Sequence, residues 1–90
     1  MTDADTQNAV SAVRALATEL TRTIDLAREL TELGRAIDLT GLDRQVGLLC
    51  AKSLDLPPDD GRRIRPRLIA LSGSMEALSR ALTARIAPPG

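Results

Sequence analysis

Phenylalanine, tyrosine, tryptophan and histidine are all absent from these 90 residues, and cysteine and lysine occur once each. Each absence excludes something. Without aromatics the core must be built from Leu, Ile, Val and Ala, which bury less area per side chain. The stacking platforms that hold single-stranded nucleic acids are missing as well. Without histidine the lone thiol, Cys50, has no imidazole to make it a thiolate. One cysteine and no histidine also cannot complete a zinc site. No intrachain disulfide can form. The glycines are isolated, so no phosphate-cradling loop is present. No apolar run approaches the ~18 residues of a membrane span. The opening MTDADTQNAV has neither the basic nor the apolar region of a signal peptide. The sequence therefore predicts a cytoplasmic, non-enzymatic protein with no cofactor, no metal and no membrane association.

What is present points to one small helical domain. A chain of this length buries a modest core. At roughly 25 cal/mol per Å² of apolar surface, an aliphatic core leaves a thin margin over conformational entropy. A protein partner or self-association would add buried surface, and either is the expected interaction. Of the twelve basic residues, eleven are arginine. Residues 1–60 carry eleven acids and six bases, whereas residues 61–90 carry six bases and one acid, Glu76. That asymmetry suits either an anionic partner or two halves packing as complementary surfaces.

Apolar spacing is helical throughout, with no strand-like alternation. Val10, Val13, Leu16 and Ala17, Leu20, Ile24, Ala27, Leu30, Leu33 and Ile37 predict a long first helix over about 7–37, after a frayed 1–6. Its stripe drifts, so that Leu26, Leu30, Leu33 and Ile37 form a displaced apolar face. Thr40 and Asp43 have capping-box spacing, with Asp38 as a second candidate cap. A short helix over about 41–56 follows, with Leu39, Leu42, Val46, Leu49, Ser53 and Leu56 on one face. Cys50 is expected on the same face as a buried structural thiol, and Leu48 points away from it. Pro57 and Pro58 end this helix. A third helix over about 58–86 carries Ile64, Leu68, Leu71, Met75, Leu78 and Leu82 at heptad-like intervals. Pro66 either kinks it or marks its true start. Ser72–Ser74 offers a close-packing site, a surface turn or a second break. Residues 87–90 read as a tail. The predicted fold is all-α, a three-helix antiparallel bundle running up-down-up, and the short middle helix leaves apolar stripe for a partner to cover.

The arginine-rich stretch 56–68, LPPDDGRRIRPRL, reads first as a helix entrance. Pro58 suits the first helical position, and Asp59 and Asp60 suit the dipole and pair with arginines three or four residues on. Arg62, Arg63, Arg65 and Arg67 fan around the helix away from Ile64 instead of making one stripe. The alternative is an anion site in a small nucleic-acid-associated regulator, and the missing aromatics weigh against nucleic acid.

The segments LTELGRAIDLTGLDRQVGLLCAKSLDLP and RPRLIALSGSMEALSRAL resemble the small all-helical export chaperones of bacterial flagellar and type III secretion systems. That resemblance spans about residues 20–84. It implies apolar helical faces that hold a client protein. The partner-binding residues expected from the spacing are Leu26, Leu30, Leu33, Ile37 and Leu48.

Overall fold

A computed structural model describes residues 3–86 of the chain. Three helices account for almost all of it: α1 spans Asp3–Glu32, α2 spans Leu42–Leu54 and α3 spans Pro58–Ile86. No strand occurs among the described residues. The fold is all-α, a three-helix bundle in which α1 packs against α3 along most of its length and α2 is the minor partner. The Cα trace measures 57 × 19 × 16 Å, a rod about two helices thick.

The direction of each helix follows from which residues line the same grooves. Gln7 and Arg14 meet Asp60 and Arg63, Thr18 and Thr21 meet Arg67 and Ala70, and Arg28 meets Ala77 and Ala81. Hence α1 and α3 run parallel. The C-terminal end of α2 returns to Ala9 and Ala12 near the start of α1, so α2 is antiparallel to both.

The seam between the long helices has a simple register. Val13, Ala17, Leu20, Ile24, Ala27 and Thr31 are all buried on α1, at alternating intervals of four and three. Ile64, Leu68, Leu71, Met75, Leu78 and Leu82 repeat that rhythm on α3 at one constant sequence offset, and they are buried or partly buried against the same core. Two stripes with one period and one phase can meet side by side only if the helices run parallel. A polar residue, Thr31, occupies the last buried position of α1. Its hydroxyl donates to the Ala27 carbonyl at 2.8 Å, which removes the cost of burying it. Leu49 of α2 and Leu56 just beyond it complete the core, with Leu39, Leu42 and Val46 partly buried beside them.

Several boundaries differ from those the spacing predicts. α1 begins at Asp3, so residues 3–6 are helical and not frayed. Residues 1, 2 and 87–90, also expected as tails, lie outside the described residues. The helix ends at Glu32 and not near Ile37, because Gly34 adopts φ 79°. The Gly34 N–H donates to the Thr31 carbonyl and the Arg35 N–H to the Leu30 carbonyl, at 3.0 and 2.9 Å. This pair of bonds is the Schellman arrangement, which satisfies two orphan carbonyls and turns the chain away. Leu33 and Ile37 keep helical spacing across a stop that a glycine imposes, which is why the spacing overshoots.

The start of α2 departs in the same way. The Thr40–Asp43 capping box does not form: Gly41 is the N-cap at φ 87°, with no side-chain cap. The Thr40 N–H instead donates to the Asp38 carboxylate at 2.9 Å. Hydrogen bonds from the Thr40 hydroxyl and N–H hold the Asp38 carboxyl below its ordinary 3.8. At the C-terminal end, Ser53 Oγ donates to the Leu49 carbonyl at 2.8 Å, so this polar member of the α2 stripe bonds its own helix. α2 closes at Leu54, two residues earlier than the stripe suggests.

α3 begins at Pro58 and passes through both Pro66 and Ser72–Ser74 without a break. It does not start at Pro66. Pro66 and Arg62 are both exposed, so the Arg62 carbonyl, which loses its usual donor, lies on the solvent side where water can meet it.

Candidate interaction surfaces

The structure sorts the leucines expected to bind a partner. Leu26 is 55% and Leu33 76% exposed, with half-buried Leu30 between them on the same face of α1. Ile37 does not join them. It sits in the connection after α1, half-buried against the core and beside Thr31 and Leu82. Leu48 is exposed on α2, and Leu54 on the same helix is more so.

The position of the leucine strip relative to α2 is informative. Ala9 and Ala12 share a groove with Lys52 of α2 and with Leu56 and Pro57 in the connection after it. Leu26, Leu30 and Leu33 recur at whole heptads from Ala12 and Ala9, so they continue the same face. At 1.5 Å per residue, the 13 residues of α2 reach about 20 Å and the 30 residues of α1 about 45 Å. Between Ala12 and Leu26 this face carries the exposed Glu19 and Thr23, and toward the end of α1 it becomes exposed leucine.

The arginine stretch resolves into two pairs on opposite flanks of the Ile64 stripe. Arg63 and Arg67 turn to the groove between α1 and α3. By the same register Arg62 and Arg65 lie on the other flank. Arg62 pairs with Asp59, and Arg63 approaches Asp60 at 3.8 Å, both within the first turns of α3. These pairs are largely solvent-exposed and contribute little stability each. Arg67 donates to Thr18 Oγ1 at 2.9 Å and so bridges the two long helices. The four arginines do not converge on one patch.

The α1–α3 groove itself was not legible from the local arginine cluster. Its basic residues come from distant parts of the chain: Arg14 with Arg63, Arg22 with Arg67, and Arg28 with Arg80. The signal in the sequence is the common heptad phase of the two long helices, which places residues far apart in the chain on one flank. Between the arginines the floor is small, with Thr18, Thr21, Ala70, Ala77 and Ala81. Cavities of about 170 Å³ beside Thr18 and about 440 Å³ between Arg28 and Arg80 lie along it.

Cys50 is exposed and not the buried thiol its spacing suggests. One residue beyond Leu49, it is turned by about 100° out of the core. Among the described residues no group of His, Cys, Asp and Glu could hold a metal ion. None of the described helices is long and apolar enough to cross a membrane. Compared with known proteins, the chain matches no family model, no curated protein and no solved structure.

Proposed function

We propose that this protein is a non-enzymatic helical interaction module, an adaptor or secretion-chaperone-like protein that takes a helix of another protein against the exposed leucines of α1. One observation carries the reading: Leu26 and Leu33 are largely exposed, with half-buried Leu30 between them, as an apolar strip at the C-terminal end of α1. A partner helix laid there would bury leucine now in water, as amphipathic helices do in apolar grooves. The likeness of residues 20–84 to export chaperones points the same way, since those proteins hold clients on apolar helical faces. Nothing in the residue set suggests chemistry, because the only thiol has no histidine anywhere in the sequence to activate it.

The double variant Leu26→Glu, Leu33→Glu tests this. Both side chains are exposed, so folding stability should change by no more than about 0.5 kcal/mol each. Affinity capture from the native cell lysate, with cross-linking to locate the bound segment, should recover a protein on the native chain. Its cross-links should fall on the C-terminal half of α1, and the double variant should lose it. If the native chain retains no protein, or the variant retains the same one, the reading fails.

A further inference from the structure

The flank of the α1–α3 seam opposite α2 is a second surface, chemically unlike the leucine strip. Its lining places six arginines, Arg14, Arg22, Arg28, Arg63, Arg67 and Arg80, along one groove. Two acids, Asp60 and Glu32, share that lining, and Asp25 and Glu29 fall on the same flank by register. Asp60 is engaged with Arg63. Arg14, Arg22, Arg28 and Arg80 form no ion pair or hydrogen bond with a described residue, and Arg28 Nε is buried without an acceptor. Guanidinium groups along a groove without an acid partner leave donors that a carboxylate can satisfy.

We propose that this groove docks an acidic amphipathic helix of a partner protein, one with a narrow apolar stripe flanked by Asp or Glu on both sides. Shape and charge argue together. The small floor of Ala77 and Ala81 lets a helix sit close between α1 and α3, and near Thr18 a carboxylate of the occupant takes the place of the Thr18 hydroxyl as the acceptor for Arg67. Arginines stand on both walls, and their planar forks match carboxylates at either flank. From Asp60 to Ala84 the groove follows about 36 Å of α3, so the occupant is a helix of roughly 24 residues. A second copy of this chain, docked face to face, would set arginine against arginine, which complementary interfaces avoid. A single-stranded nucleic acid would find no aromatic side chain to stack on.

The test uses two synthetic 24-residue helical peptides with Leu and Ala in the stripe, one with Glu at both flanks and one with Lys. Single- and double-stranded 24-nucleotide DNA serve as further probes, and each is titrated into the ¹⁵N-labelled full chain. The Glu peptide should bind and shift the amides of Thr18, Thr21, Ala70, Ala77 and Ala81. The Lys peptide should bind at least about tenfold more weakly. Arg28→Ala and Arg80→Ala should each weaken the Glu peptide several-fold, while Arg44→Ala on α2 should leave it unchanged. Arg67→Ala supplies an independent variant if Arg28→Ala perturbs the fold. The proposal is overturned if the Lys peptide binds equally, if the arginine changes have no effect, if the Glu peptide fails to bind, or if DNA binds in its place.

Discussion

Replacing Ile24 with alanine should destabilise the protein by about 3 kcal/mol, within the range of buried isoleucine-to-alanine changes. Ile24 is fully buried at the middle of the α1 stripe, and on α3 the residue in the same phase is Met75. With no aromatic ring anywhere in the chain, no large neighbour exists to fill the space left behind. Met75 can relax partway into it, because its unbranched side chain adapts, and this keeps the expected loss below the top of the range. For a small domain with a total stability of ~5–10 kcal/mol, such a loss is a large fraction. It corresponds to a fall in melting temperature on the order of 15 °C. Leu54→Ala is the control. That leucine is 85% exposed and should cost no more than about 0.5 kcal/mol. Thermal and urea unfolding of both variants, followed by circular dichroism, checks the contrast. Equal effects from the two substitutions would mean that the α1–α3 seam is not the core.

Pro66→Ala should act in the opposite direction and stabilise the protein by about 2 kcal/mol. Proline inside a helix costs about 3 kcal/mol relative to alanine, through the lost hydrogen bond and the clash with the preceding turn. Here Pro66 lies well inside α3, and its ring is exposed, so little packing is lost when it is removed. Alanine restores an N–H for the Arg62 carbonyl. Against this gain stands the greater freedom of the unfolded chain once proline is gone, about 0.4–1 kcal/mol. The balance favours the variant. Were Pro66 the first residue of the helix, it would sit where proline is well tolerated, and alanine would bring no gain. A variant with unchanged or lower stability in urea would therefore contradict a helix that runs from Pro58.

The parts of the fold that could be read from the sequence are those set by period alone. Ile64, Leu71 and Leu78 announce the α3 stripe, and Val13, Leu20 and Ile24 the α1 stripe, because helical spacing of aliphatics has one economical use. Pro58, Asp59 and Asp60 mark the start of α3 for equally local reasons. The parts that misled depend on backbone freedom or on neighbours far away in the chain. Gly34 ends α1 through a left-handed conformation while Ile37 keeps the helical beat, so spacing carries the prediction past the true end. Gly41 moves the start of α2 one residue beyond Thr40, and the capping box is lost. Cys50 adjoins a buried leucine in sequence but faces solvent, since one residue is a quarter turn. The exposed leucines Leu26 and Leu33 were legible, because they fall off the main stripe. The arginine groove was not, because Arg14, Arg28 and Arg80 look unremarkable until α1 and α3 are laid side by side in phase.

The parallel, in-phase pairing of α1 and α3 underlies both surfaces, and a pair of electron–electron distance measurements tests it directly. With Cys50→Ser removing the native thiol, nitroxide labels are placed at Glu29→Cys with Arg80→Cys, and separately at Asn8→Cys with Arg80→Cys. All three positions are exposed and lie at the same heptad phase on their helices. Parallel pairing puts residues 29 and 80 at one level, so that pair should give a distance of roughly 20 Å, set by two helix radii and the label arms. Residue 8 lies 21 positions before residue 29, an axial rise of about 31 Å, so the second pair should exceed about 30 Å. The reverse order, with residues 8 and 80 close and 29 and 80 far apart, would make the long helices antiparallel and contradict the account.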